Sequence, residues 1–181
     1  MLGAVVLSPG TLEPIINEIA TRYNVEPALI KAHIKQESNW DVNASRFEAH
    51  KGDASWGLMQ LLLATGREVL GNANLTTTQL IQPRTNIEAG TKFIAQLQKR
   101  FGNMRDAIAA YNAGSPRIDP KTGKYVNQDY VDRVTKNYEI YKSLGTGTAA
   151  EVAINLSSPD MMPVYVLSGL GVLGLVVLAR N

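Results

Sequence analysis

From about residue 9 to residue 144, apolar residues recur at helical spacing, and no stretch alternates apolar with polar residues for a useful strand length. Such a chain buries one stripe per segment, so the expected fold class is all-α. Leu12, Ile15, Ile16, Ile19 and Tyr23 form the first stripe, in a helix that Thr11 and Pro14 open. "NVEPALIKAHIKQES" starts a second helix at Pro27, whose restricted φ suits a first turn, and Leu29, Ile30, Ala32 and Ile34 bury it. A polar, glycine-containing loop runs through Asp53, and a third helix is expected near "SWGLMQLLL". Asn86 is expected to cap the next, on which Ile87, Gly90, Phe93, Ile94 and Leu97 repeat until Gly102. Asn103 with Asp106 resembles a shortened capping box for "MRDAIAAYN", which ends at Gly114. After "SPRIDPKTGK", a last helix carries Tyr130, Val131, Val134, Tyr138, Tyr141 and Leu144.

The C-terminal run is of another kind. Met161 to Ala179 holds no charged residue. At about 1.5 Å per residue a helix of this length just crosses a hydrocarbon core of about 30 Å. A buried core helix would show a polar stripe and this run has none, so a transmembrane helix is expected over 161–179. Gly169, Gly171 and Gly174 spell G-x-G-x-x-G, but no strand precedes them and no acidic residue follows, which excludes a dinucleotide site. The N-terminal "MLGAVVLSPG" lacks a basic region, the first cation being Arg22, and reads as a short arm rather than a signal peptide. The expected organisation is an arm at 1–10, a catalytic domain at 11–144, a small, polar linker at 145–160, and the span.

Charge and composition narrow the chemistry. Seventeen of the 18 basic residues and all 16 acidic ones precede the span, leaving that part at +1, which is no nucleic-acid footprint. The absence of cysteine removes thiolate metal sites and thiol nucleophiles, and two histidines, His33 and His50, make no metal cluster. No metal or organic cofactor is implied.

Four separated motifs carry the function: "QESNW" with Glu37 and Ser38, "SWGLMQLLLAT" with Gln60, "AIAAYNAG" with Tyr111 and Asn112, and "QDYVDRV" with Tyr130. In this order they resemble the lysozyme-like lytic transglycosylases of glycoside hydrolase family 23, over roughly residues 12–144. "NIEAGTKFIAQLQKRFG" is similar to the family helix between the second and third motifs. The resemblance implies a lysozyme-like helical domain that cleaves the β-1,4 bond between N-acetylmuramic acid and N-acetylglucosamine in peptidoglycan glycan strands, leaving a 1,6-anhydromuramoyl end. It makes Glu37 the catalytic acid, places Tyr111, Asn112 and Gln60 along the sugar, sets Tyr130 near the acid, and has Ser38 orient Glu37 or the saccharide. One departure is Leu63, where the family commonly has proline, which leaves the exit of that helix open.

The residues support the same role for Glu37. A carboxyl following a buried helical face, close in sequence to Trp40, is poorly solvated, and desolvation favours the protonated form that a general acid needs. His33, one turn earlier, reads as a buried structural histidine. Leu58 and Met59 read as core.

A glycosidase that uses water needs a second carboxylate. Among Asp41, Glu48 and Asp53, the acids between Glu37 and "GLMQ", Asp53 is the prime candidate because its loop leads into that motif. Two reactions therefore stay open: a transglycosylase in which the muramoyl 6-hydroxyl attacks, and a muramidase with Asp53 as base. A third alternative is a non-enzymatic, membrane-anchored glycan-binding protein. The segment order suggests a bacteriophage enzyme, carried in the virion with its lipid membrane or genome-delivery proteins as partners and opening the wall as the genome passes in. A bacterial cell-envelope enzyme is the alternative location.

Overall fold

The computed structural model describes residues 5–48 and 52–145, together with Val166–Leu167 and Gly174–Leu175. The described residues form seven helices: α1 (Pro9–Tyr23), α2 (Pro27–Ser38), α3 (Leu63–Leu70), α4 (Thr77–Leu80), α5 (Pro83–Phe101), α6 (Met104–Ala113) and α7 (Gln128–Gly145). Between α2 and α3 lie strands β1 (Ser45–Glu48), β2 (Asp53–Trp56) and β3 (Leu61–Leu62). The all-α expectation therefore holds for the body of the domain and is corrected for this insert.

Local signals set the helix ends. Ser8 caps α1, accepting the Thr11 N–H, so this helix starts at Pro9, two residues before Thr11. Pro27 is the first residue of α2, as its ring favours. Asn103 caps α6 as expected, accepting the Asp106 N–H at 2.8 Å, but it is its side-chain amide, not its backbone N–H, that donates to the Asp106 carboxylate, so only half of the capping box is formed.

The apolar stripes meet in one core. Ile16 and Ile19 of α1, Leu29, Ile30 and Ile34 of α2, Ile87 and Ile94 of α5, and Val131 and Val134 of α7 are almost wholly removed from solvent. Each such side chain contributes about 1.5–3 kcal/mol of burial energy. Helix α2 runs through the middle, packed along α7 and beside α1 and α5. That central position lets its last turn bring a carboxyl to the edge of the core.

The segment "SWGLMQLLL" does not begin a helix. Ser55 and Trp56 finish β2, residues 57–60 form a tight turn, and Leu61–Leu62 pair back antiparallel on β2 before α3 starts at Leu63. The reason lies in α5. Asn86 is not the cap of that helix, which begins at Pro83. Fully buried, it accepts the Met59 N–H at 2.7 Å and donates to the carbonyls of Trp56 (2.9 Å) and Leu80 (3.1 Å). These bonds reward a turn over a helix at 57–60. Gly57 has φ +75°, and an added Cβ would lie 2.6 Å from the Asn86 amide, so glycine is required there twice over. Leu58 and Met59 are core residues, as expected, and Met59 sits so closely over Gly90 that a Cβ there would overlap its sulfur.

Among the described residues no helix is long and apolar enough to cross a membrane. Of 161–179 only Val166–Leu167 and Gly174–Leu175 are described. They pair antiparallel as β4 (Val166–Leu167) and β5 (Gly174–Leu175), correcting the helical expectation at those four positions. Gly174 weakens helix propensity by about 1 kcal/mol, and Val166 favours extended backbone. The remainder of the expected span, and most of the linker at 145–160, lies outside the described residues.

Candidate active site

Glu37 occupies the penultimate position of α2, and the chain turns sharply behind it because Asn39 (φ 50°) and Trp40 (φ 71°) both take left-handed backbone. Non-glycine residues in that region carry strain of the kind that collects at functional sites. The Glu37 carboxyl lies between two open depressions of about 460 and 810 Å³, both of which it lines together with Gln36 and Arg46. A smaller depression, about 160 Å³, shares Gln60 with the larger of these and Asn112 with the other.

The carboxyl is held from below. Tyr130, on the buried face of α7, donates its hydroxyl to Glu37 Oε1 at 2.5 Å and lies 3.3 Å from His33 Nδ1. With the Tyr130 proton committed to Glu37, its oxygen can only accept from His33, which places the neutral ring's proton on Nδ1. Burial pushes the His33 pKa from 6.5 down to about 3 and raises the Tyr130 and Tyr111 hydroxyls well above 10, so all three stay neutral at physiological pH. Burial also raises Glu37 from 4.5 to about 7; the Tyr130 hydrogen bond and the Arg46 charge oppose the shift, and Glu48 adds to it. Because Oε1 accepts from Tyr130, Oε2 is left to carry the proton.

The other residues expected at the site are present, each with its own constraint. The Tyr111 ring stacks between His33 (4.5 Å) and Phe93 (5.2 Å), and its hydroxyl donates to the Met59 carbonyl at 2.8 Å, so it forms a wall of the small depression and locks the 57–60 turn. Asn112 is exposed at the rim, its Oδ1 accepting from Asn127 at 3.0 Å. Gln60 lines the groove with left-handed backbone (φ 45°), but both ends of its amide are already engaged. Its Oε1 accepts from Ser55 (2.9 Å), and its Nε2 donates to the carbonyls of Gly57 and Ala44. Ser38 lines the larger depression with its hydroxyl bonded back to the Ile34 carbonyl at 3.2 Å. Trp40 is not a wall of the site: it packs edge-on against Tyr141, to which its indole N–H donates at 3.2 Å.

Of the acids between Glu37 and the 57–60 turn, Asp41 lines the larger depression and Glu48 the small one, while Asp53 lines neither. In the antiparallel register Glu48 pairs with Asp53 and Arg46 with Ser55. Glu48 lines the small depression and binds Arg46 Nε at 2.9 Å, whereas Asp53 turns its carboxylate onto its neighbour's N–H, that of Ala54, at 2.7 Å and borders none of the three depressions. Arg46 and Glu48 carry the only trace of this in sequence, two charges separated by the exposed Phe47 at strand period. No group of three or more metal-ligating side chains occurs among the described residues.

This arrangement, a carboxyl with a pKa of about 7 at the edge of a polar groove, suits proton transfer to and from a bound oxygen. Comparison with known proteins points the same way. The model of the transglycosylase SLT domain matches residues 14–132. The chain is 32% identical over 111 residues to a soluble lytic murein transglycosylase of Salmonella typhimurium, covering 56% of this chain and 16% of that one. It is 26% identical over 127 residues to a transglycosylase of Enterobacteria phage PRD1, covering 69% and 42%. The structure of the lytic transglycosylase Slt of Pseudomonas aeruginosa, solved as an inactive mutant, superposes with a TM-score of 0.61 at 25% identity over 76% of this chain and 25% of that one. The chain thus matches less than half the length of each of these proteins.

Proposed function

The chain belongs to the transglycosylase SLT domain family, and from that premise we propose that it is a peptidoglycan lytic transglycosylase with Glu37 as its single acid and base. The observation that carries this reading is the Glu37 carboxyl, held by Tyr130 at 2.5 Å with its pKa near 7. A group with that affinity gives up and regains a proton at neutral pH with little cost either way. Glu37 first donates its proton to the oxygen linking N-acetylmuramic acid to N-acetylglucosamine, and that bond breaks. As a carboxylate it then accepts the proton of the muramoyl 6-hydroxyl, whose oxygen closes on C1 to leave the 1,6-anhydro ring. Tyr130 keeps a hydrogen bond on Oε1 through both steps. Tyr111 and Asn112 bound the sugar path. Gln60 acts by holding the hairpin against the 57–60 turn, and Ser38 presents the end of α2 to the saccharide.

A muramidase using Asp53 draws no support from the geometry, because that carboxylate serves its own strand. Glu48 reaches the groove, but in the grip of Arg46. A zymogram of wild type against Glu37→Gln, with mass spectrometry of the digest, tests the proposal: anhydromuramoyl products from wild type alone are expected. Reducing muramic acid ends without anhydro species, or equal clearing by both proteins, would overturn it.

We also infer a site of action at a membrane-bearing virion that opens the wall locally as the genome passes in. The uncharged run 161–179 and the similarity to a phage transglycosylase support this reading. Flotation with lipid vesicles by the full chain, lost when residues 161–181 are removed, and recovery of the protein in washed virions are the expected results.

A further inference from the structure

We infer that His33 is a positioning residue: its Nδ1–H fixes the direction of the hydrogen-bond chain behind Glu37, so that the acid carries its proton on Oε2 and not on the oxygen facing Tyr130. This rests on the transglycosylase reading above and goes beyond it, because His33 lines none of the three depressions and acts only through Tyr130.

His33 lies one turn before Glu37 on α2 and is only 1% exposed. The Tyr130 oxygen joins the two, 2.5 Å from Glu37 Oε1 and 3.3 Å from His33 Nδ1. Three such groups can pass their hydrogen bonds in either of two directions. In one, Nδ1–H donates to Tyr130 and Tyr130 donates to Glu37. In the other, protonated Glu37 donates from Oε1 to Tyr130, and Tyr130 donates to a bare Nδ1 while the ring proton sits on Nε2. The second direction spends the acid's proton on Tyr130, where no leaving group can take it. It also fails once Glu37 ionises. Tyr130 must then turn its proton to the carboxylate, and the lone pairs of its oxygen and of Nδ1 are left facing each other at 3.3 Å. Only the Nδ1–H ring serves both protonation states without rearrangement, and a residue that is acid and then base passes through both in each turnover.

The ring is locked in that role. Tyr111 lies against it at 4.5 Å between centroids and is itself pinned, its hydroxyl on the Met59 carbonyl at 2.8 Å and Phe93 behind it at 5.2 Å. Burial keeps the imidazole neutral, so one ring nitrogen donates and the other does not. The other charged or titratable groups around Glu37 come from every side. Arg46 of β1 lines both adjoining depressions, Lys124, Asp129 and Arg133 line one, Asp41 lines the other, and Glu48 and Tyr111 stand beyond. None of these hydrogen-bonds to His33, so a change at position 33 reaches the acid through Tyr130.

The test compares wild type with His33→Leu, which fills the space and donates nothing, and with His33→Asn, whose amide N–H takes the place of Nδ1–H. His33→Leu is expected to lower kcat about tenfold, the effect of one hydrogen bond, with KM within about twofold. It should also move the alkaline limb of the kcat/KM profile to higher pH, because Tyr130 no longer favours the carboxylate. His33→Asn should recover most of kcat and bring the limb back. In a Tyr130→Phe background the leucine change should alter kcat by less than about twofold, since no hydroxyl is left to direct. Equal loss in the leucine and asparagine variants, an unmoved limb, or the full loss in the Tyr130→Phe background overturns the inference. Two NMR measurements need no turnover. Titration of the Glu37 carboxyl carbon should give a higher midpoint in His33→Leu than in wild type or His33→Asn, and ring-nitrogen spectra of wild type should place the His33 proton on Nδ1. Those results would support the inference even if wild type cleaved no glycan and the catalytic reading failed. Equal midpoints in all three proteins, or a wild-type ring protonated on Nε2, overturn it.

Discussion

Replacing Glu37 with glutamine should make the protein more stable while abolishing its chemistry, and the gain should depend on pH. In the unfolded chain this carboxyl titrates near 4.5, and in the folded chain near 7. Below pH 4.5 both states hold the proton and the residue costs nothing. As pH rises from 4.5 to 7 the unfolded state ionises first, so the native state binds more protons and stability falls. A shift from 4.5 to about 7 corresponds to about 3 kcal/mol lost above pH 7. Glutamine keeps the shape and still offers Tyr130 a carbonyl acceptor, so it mimics the protonated acid at every pH. Urea unfolding of both proteins at pH 4 and pH 8 reads this directly. Nearly coincident midpoints are expected at pH 4, and at pH 8 an advantage for Glu37→Gln of about 1–2 M urea at an ordinary m-value. An equal difference at the two pH values, or a less stable variant at pH 8, would refute the claim that burial raises the Glu37 pKa.

The alkaline limb of the kcat/KM profile should follow the same group. Tyr130→Phe removes the hydrogen bond that favours the carboxylate, so the Glu37 pKa rises and the limb moves to higher pH by about one unit. Arg46→Gln removes a stabilising positive charge and should move the limb in the same direction by less, as a pH–rate series would record. The His33 ring, with a pKa near 3, should give NMR signals of a neutral Nδ1–H tautomer from pH 8 to 5; a protonation step in that range would contradict its burial. Asn86→Ala strands the Met59 N–H and two carbonyls in the core, a loss of about 2–4 kcal/mol in denaturant unfolding, accompanied by reduced turnover because the 57–60 turn slackens.

Helices α1, α2, α5, α6 and α7 were legible as sequence because each buries one stripe, and a period of 3.6 residues is a local property that needs no partner to be seen. Glu37 and Tyr130 were legible because each sits within a short motif. Their contact at 2.5 Å was not, since it depends on how α7 lies along α2, 93 residues apart in the chain. The short sheet and the turn at 57–60 escaped for the same reason. The stretch holding β1 is polar and reads as loop, whereas 57–62 is apolar enough for a helix, and only the buried amide of Asn86, arriving from another element, makes a turn the lower-energy choice there. Asp53 and Glu48 show the distinction most sharply. Because its loop leads into "GLMQ", Asp53 was the better candidate for a second acid. Strand pairing set both on one hairpin, and there Asp53 closes on its neighbour's N–H while Glu48 reaches the groove with Arg46. The sequence by itself determined the helical class, the family and the candidate acid. Tertiary packing decided that acid's proton affinity, its partners and the charge of the two depressions beside it, because burial and Coulombic fields are properties of what surrounds a group in space.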